Sequence, residues 1–292
     1  MLARTIPWVY RAYRAHGFSA DYFPVELAAW RRAVTRHLDP GNAESIVRIY
    51  DWMLENHERM ILLAETLGET GDVEPGQRWR PIYRTFLDHL IRGESREVVR
   101  LASESVADAA DFADFYLGLL QPCLYQIGRM WERGEISVAE EHLATAVVGR
   151  IMAGFYPRFL ASPQSRGKAL VSSVLNEHHE VGARMVADLL ELDGWDTCYL
   201  GADTPIADLL ELLSADRFDM VFLSVTMPFN IHRAGDTVRM IRDRNPKKEL
   251  RVMVGGQAFH LIPQLADRIG ADGTARNAAE AVRGSAEWWE GD

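Results

Sequence analysis

Apolar positions along the chain repeat with two different periods. Between residues 25 and 38, Leu27, Trp30, Val34 and Leu38 recur at helical spacing, which predicts an amphipathic helix. Asp39-Pro40-Gly41-Asn42 breaks it, and residues 44–67 read as a second, longer helix. A polar stretch carrying Gly and Pro at 68–81 reads as a linker. From Ile82 to about Leu160 four helical segments follow, over 83–93, 95–110, 115–134 and 137–160, punctuated by Gly93, Gly134 and Pro163. Their short connections predict an antiparallel four-helix bundle.

From Gly167 the period shortens. Apolar runs at 168–174, 196–201, 219–225 and 251–256 alternate with helical stretches at 181–194, 205–216 and 231–245. Near-continuous apolar strands separated by helices predict a parallel sheet covered on both faces. The expected architecture is therefore α/β plus all-α: N-terminal helices at 1–79, a four-helix bundle at 80–164, and a flavodoxin- or Rossmann-like doubly wound parallel sheet at 165–292. Sheets of this kind bind ligands beyond the carboxyl ends of their strands, which singles out the loops that follow the strands.

Composition narrows the function classes. The 292 residues carry 32 Lys+Arg against 42 Asp+Glu, a net charge of −10, which opposes a surface built to neutralise phosphates. No run of ~18 apolar residues predicts a membrane span, and the start of the chain lacks the apolar stretch of a signal peptide. Cys123 and Cys198 form no CxxC, which excludes a disulfide scaffold and a zinc ribbon and fits a reducing compartment. A soluble cytoplasmic protein is expected.

The first strand runs into Leu175-Asn176-Glu177-His178-His179-Glu180-Val181-Gly182. Two histidines and two carboxylates here read either as a polar loop capping the next helix or as a ligand site. In the second reading an imidazole binds a metal or proton and a carboxylate orients it. Glu177, two residues before His179, is placed to do so, and Gly182 lets the backbone pass close to a bulky ligand.

The third strand ends in Ser224-Val225-Thr226 and the fourth in Gly255-Gly256. With these, the sequence resembles the cobalamin-binding domain family of methionine synthase, mutases and corrinoid proteins. That family carries D-x-H-x-x-G, then S-x-L, then a Gly-Gly pair; here they read Glu177-x-His179-x-x-Gly182, Ser224-x-Thr226 and Gly255-Gly256. The resemblance implies cobalamin (vitamin B12) with His179 as the lower axial ligand of cobalt and His178 as its neighbour. It also implies a slot for the displaced benzimidazole tail, in which Ser224 can hydrogen-bond the base and Gly255-Gly256 leave room for the nucleotide loop. Glu replaces the usual Asp and Thr226 the usual Leu.

In the bundle, Ser137 and Glu140 form a capping-box pattern, followed directly by Glu141-His142, while Trp131 ends the preceding helix. Alone these read as a packing tryptophan and a surface Glu-His pair. Their spacing, W-x9-EH, resembles a motif of adenosylcobalamin-dependent photoreceptors, in which a four-helix bundle precedes the cobalamin domain. The resemblance implies that Trp131, Glu141 and His142 face the upper, adenosyl side of the cofactor, and that light breaks the cobalt–carbon bond. It points to adenosylcobalamin, with methylcobalamin or hydroxocobalamin as other forms.

Two departures are visible. Where some of these photoreceptors carry a His after the Trp, this chain has Glu132, so a second axial His from that position is not available. The best-known examples begin with a winged-helix DNA-binding domain, which residues 1–79 do not resemble; Arg31, Arg32 and Arg36 read as a solvated helix face and the aromatic cluster Trp8, Tyr10, Tyr13, Tyr22, Phe23 and Trp30 as a helical core. The expectation is a cobalamin-dependent photoreceptor, a sensor rather than an enzyme. It would signal through a protein partner or a second copy of itself, with no direct DNA or membrane binding. The alternative is a corrinoid methyl carrier, the corrinoid subunit of a methyltransferase system.

Overall fold

The computed structural model describes residues 2–66, 71–160, 165–245, 249–262 and 264–291. The chain divides into two compact units: residues 1–73 with 125–141, and residues 74–124 with 142–292.

The first unit opens with α1 (Leu2–Ala15), α2 (Tyr22–His37), α3 (Pro40–Glu55) and α4 (His57–Thr66). Their small core gathers Ile6, Tyr10, Phe23, Met60 and Ala64, with Tyr10 stacked on Phe23 at 3.9 Å. The aromatic residues expected inside divide: Tyr10 and Phe23 are buried, but Trp30 is 55% exposed. The single helix expected over 44–67 is two helices parted at Asn56. The apolar period runs through the break, while the Asn56 side chain donates to the Trp52 carbonyl at 2.9 Å and its backbone leaves the helical region, a competition typical of Asn. Asp39 accepts from the Asn42 N–H and Pro40 takes the first helical position, so the expected breaker also starts the next helix.

A 3-10 turn at Gln77–Trp79 leads into α5 (Arg80–Ile91), α6 (Ser95–Ser105), α7 (Ala109–Phe115), a π-helical turn at Tyr116–Leu120, α8 (Gln121–Glu132) and α9 (Val138–Phe159). Trp79, read as linker, is buried and donates its indole N–H to Asp114 at 2.9 Å. Phe86, Phe112, Phe115, Tyr116 and Phe155 meet edge-on or tilted in the second unit's helical core, a favourable arrangement of ring quadrupoles. The capping box is present as read: Ser137 N–H donates to Glu140 at 2.7 Å, and Glu140 N–H to Ser137 Oγ at 3.2 Å.

Among the described residues the sheet has five parallel strands, β1 (Lys168–Ser173), β2 (Asp196–Tyr199), β3 (Met220–Ser224), β4 (Arg251–Gly255) and β5 (Gly273–Ala275), in the order β2-β1-β3-β4-β5. Side-chain alternation sorts each strand between two cores. Ala169, Val171, Met220, Phe222 and Met253 pack with Ala183, Ala187 and Leu190 of α10 (Val181–Leu192). Leu170, Val221, Leu223, Val252 and Val254 pack on the other face with Leu209 and Leu210 of α11 (Ile206–Ala215) and Val238 and Ile241 of α12 (Ile231–Arg244). Two short helices, α13 (Gln257–Leu261) and α14 (Leu265–Arg268), precede β5, and α15 (Ala278–Gly291) ends the chain. The order places the chain reversal between β1 and β3, where doubly wound sheets open a ligand crevice. Among the described residues no helix is long and apolar enough to cross a membrane.

Candidate functional site

Strand register brings the three sequence motifs to one level. Ser173, Ser224 and Gly255 are direct neighbours across β1, β3 and β4, so the loops that follow them leave the sheet side by side at the switch point. The β1 loop turns sharply through Asn176 at φ 64°, a left-handed conformation that Asn tolerates better than most residues. Asp203, also left-handed at φ 51°, accepts from the Asn176 N–H at 2.7 Å and donates its own N–H to the Glu177 carbonyl at 3.0 Å.

This turn drives Glu177 inward until it is fully buried. A buried carboxylate needs donors on both oxygens, and Glu177 has them. Oε2 accepts from the backbone N–H groups of Thr226 and Met227, each at 2.9 Å, and from Asn230 Nδ2 at 3.2 Å. Oε1 faces His179 Nδ1 at 2.6 Å and the His179 N–H at 3.2 Å. Burial alone would raise the Glu177 pKa; the hydrogen bonds from His179, Met227 and Asn230 outweigh it and hold it at about 2.

An ionised Glu177 only accepts, so the proton on the facing His179 nitrogen sits on Nδ1. Nε2 is left as the donor atom of a side chain that is 58% exposed. Hydrogen bonding of this kind fixes the tautomer and strengthens the other nitrogen as a ligand. A single oriented imidazole suits a metal that arrives with its other ligands already in place. Cobalt in a corrin is such a metal, and it takes imidazole nitrogen readily. The residues present therefore fit cobalamin.

His178 is exposed beside this pair. Gly182 lies in the first turn of α10, and the position a Cβ would take there is open. Gly256 has φ 94°, and a Cβ there would run into the Val225 carbonyl oxygen; at Gly255 it would meet the Ala275 carbonyl at 3.0 Å. Close backbone approach of the β3 loop to Gly256 and of β5 to Gly255 thus accounts for the Gly-Gly pair within the protein itself. Thr226 serves through its backbone N–H. Asn230, buried and donating to both Asn176 O at 3.0 Å and Glu177, was not visible in sequence, because the contact closes across the switch point from a turn more than 50 residues away.

The other three site candidates lie on the helices. Trp131 and Glu141 belong to the first unit and His142 to the second. The Trp131 ring meets His16 at 5.1 Å and Trp8 at 6.4 Å between centroids. Glu141 follows the capping box on α9, with its N–H on the Ser137 carbonyl at 3.1 Å, and His142 is exposed.

Two family models match the chain, both described as a B12 binding domain, at residues 167–283 and 82–153. Dimethylamine corrinoid protein 3 of Methanosarcina acetivorans is 27% identical over 54% of this chain and 73% of its own length. Dimethylamine corrinoid protein 2 of the same organism is 25% identical over 64% and 87%, and a corrinoid protein of Desulfitobacterium hafniense 21% over 66% and 90%. The monomethylamine corrinoid protein of Methanosarcina barkeri shares the fold with a TM-score of 0.63 at 20% identity, covering 72% of this chain and 99% of that one. These relatives correct the expectation of a light-sensing, signalling photoreceptor: they are corrinoid proteins, several named for a methylated amine. The W-x9-EH spacing misled because it rests on three side chains in helices, where a packing Trp and a surface Glu-His pair recur readily. The chain binds cobalamin and belongs to the B12 binding domain family, with a sheet domain at 167–283 and a helical domain at 82–153.

Proposed function

We propose that this protein is the corrinoid methyl carrier of a methyltransferase system. The observation that carries the reading is the His179–Glu177 pair, at 2.6 Å, in a chain whose relatives are named dimethylamine corrinoid proteins. Bound cobalamin supplies a cobalt that accepts and gives up a methyl group. The chain's own residues hold it. His179 would hold the cobalt through Nε2, and Glu177 keeps the Nδ1 proton and the ring plane in place. Thr226, Met227 and Asn230 keep Glu177 ionised while it is shut off from water. Ser224 and the loops at Gly182 and Gly255-Gly256 line the course of the nucleotide tail, and His178 borders it. Trp131, Glu141 and His142 are proposed cofactor contacts of the helical domain. The partners are methyltransferase proteins, and in this reading catalysis resides in them.

The test is methyl transfer. The full chain is loaded with methylcobalamin and mixed with a corrinoid-dependent methyltransferase and its acceptor, and the cobalamin spectrum is followed. Loss of the methylcobalamin bands with stoichiometric methylation of the acceptor is expected. A bound methylcobalamin that stays inert while the same enzyme demethylates another carrier overturns the reading.

A further inference from the structure

More than a quarter of this chain has no counterpart in the monomethylamine corrinoid protein, although 99% of that protein is covered, and the family matches begin only at residue 82. Residues 2–66 lie outside both family matches. They also group with residues 125–141, a segment from inside the helical B12 binding domain at 82–153.

The contact is specific. Gly134, at φ 71°, ends α8, with its N–H on the Trp131 carbonyl and the Glu135 N–H on the Met130 carbonyl, each at 2.9 Å, a glycine-closed helix end. A Cβ at Gly134 would stand 2.7 Å from the Ala15 carbonyl oxygen, so the turn presses directly on the end of α1. His16 Nε2–H donates to the Trp131 carbonyl at 3.0 Å. Arg11 places Nε and Nη2 on one oxygen of Glu132, both at 2.9 Å, with side chains only 23% and 19% exposed. Trp8 and His16 cover the Trp131 ring. Charge, hydrogen bond, ring contact and steric fit converge on three residues of one turn, Trp131, Glu132 and Gly134.

We infer that residues 2–66 are a regulatory module that clasps the α8–α9 turn through α1 and thereby restrains the helical B12 binding domain. A partly buried charge-assisted bond is among the stronger single contacts a protein surface makes, and it can be reversed in polarity. While the clasp is closed the turn moves little; when α1 lifts, the turn that follows Trp131 is released and bound cobalamin exchanges faster. The inference needs cobalamin binding but not the methyl-carrier reading.

The test uses the cobalamin-loaded full chain and compares Arg11→Glu, Glu132→Arg and the double reversal Arg11→Glu/Glu132→Arg with the parent. Amide exchange is read over 129–137, with α10 amides as the folding control, and release of bound hydroxocobalamin into excess free apo-carrier is timed. Each single variant should speed exchange in the turn by about tenfold or more and hasten cobalamin release, and the double reversal should restore both. Exchange over 129–137 that Arg11→Glu leaves unchanged overturns the clasp, and faster exchange with unchanged cobalamin release overturns its regulatory role. If a charge reversal loses the α10 control, His16→Ala, which removes one hydrogen bond and one ring contact, replaces it under the same criteria.

Discussion

At the scale of single residues, the site depends on one carboxylate being both buried and ionised. Removing its charge should weaken the ligand it orients. Glu177→Gln keeps the size and an acceptor oxygen but lowers the basicity of His179 Nε2, so cobalamin affinity should fall by about 10- to 100-fold, measured by titration of the apo-protein. His179→Ala should go further and remove the spectral signature of imidazole ligation. The same carboxylate sets an acid limit. Its pKa is held at about 2 against 4.5 unperturbed, so the native state gives up this proton more readily than the unfolded chain. Its contribution, on the order of 3 kcal/mol, is full above pH 4.5 and lost as pH falls towards 2. Denaturant titrations of the apo-protein at pH 3 and pH 5 should show that loss, and Glu177→Gln should flatten it. The Glu177–His179 pair is legible in sequence because its partners are two residues apart. Asn230 and Asp203 are not, since each reaches the pair only after the sheet has placed its loop beside β1.

Between elements, the period of apolar residues carries most of the fold. It marks the strands β1 to β4 and the helices between them, because alternate strand residues must cover two separate cores. It misses β5, three residues in which only Ala275 is buried, too short to show any alternation. It also misses the Asn56 break, where one side-chain hydrogen bond ends a helix without disturbing the pattern. The pair at 255–256 is a similar case. Its glycines are plain in sequence, but their cause, the Val225 and Ala275 carbonyls, is tertiary. Gly256→Ala adds both a clash and a disfavoured φ and should cost about 1–3 kcal/mol or more, read as a lowered denaturation midpoint.

A second element-scale prediction concerns the join of helical and sheet layers within the second unit. Tyr116 donates its hydroxyl to Asp188 on α10 at 2.7 Å, and both are buried. Burial raises the Asp188 pKa to about 6 despite the Tyr116 bond and the nearby Arg184, with Glu191 adding to the rise. Here the native state holds the proton more tightly than the unfolded chain, so stability from this group falls as pH rises from about 4 to 6. Asp188→Asn should therefore gain on the parent across that window, by on the order of 3 kcal/mol, and thermal melts at pH 4 and pH 7 would show the two curves diverging.

For the whole molecule, what matters is that two units with separate cores share one chain while the proposed ligand pair, Glu177 and His179, lies in the second. A ligand at 100 times its Kd stabilises the state that binds it by about 2.7 kcal/mol, a factor of about 100 in opening. Saturating cobalamin should thus slow amide exchange in β1, β3 and α10 by up to that factor wherever exchange requires opening of the site, while α2 and α3, with a core of their own, keep their rates. His179→Ala should cancel the protection in the sheet and leave the N-terminal helices as they were. The helical domain supplies the discriminating readout, because residues 125–141 fall inside a B12 binding domain yet group with the N-terminal helices. Protection that stops short of this segment would mean that the sheet domain alone senses the cofactor. Protection that reaches it, and is lost in Arg11→Glu, would mean that the N-terminal module and the cofactor act on the same turn from opposite ends of the chain.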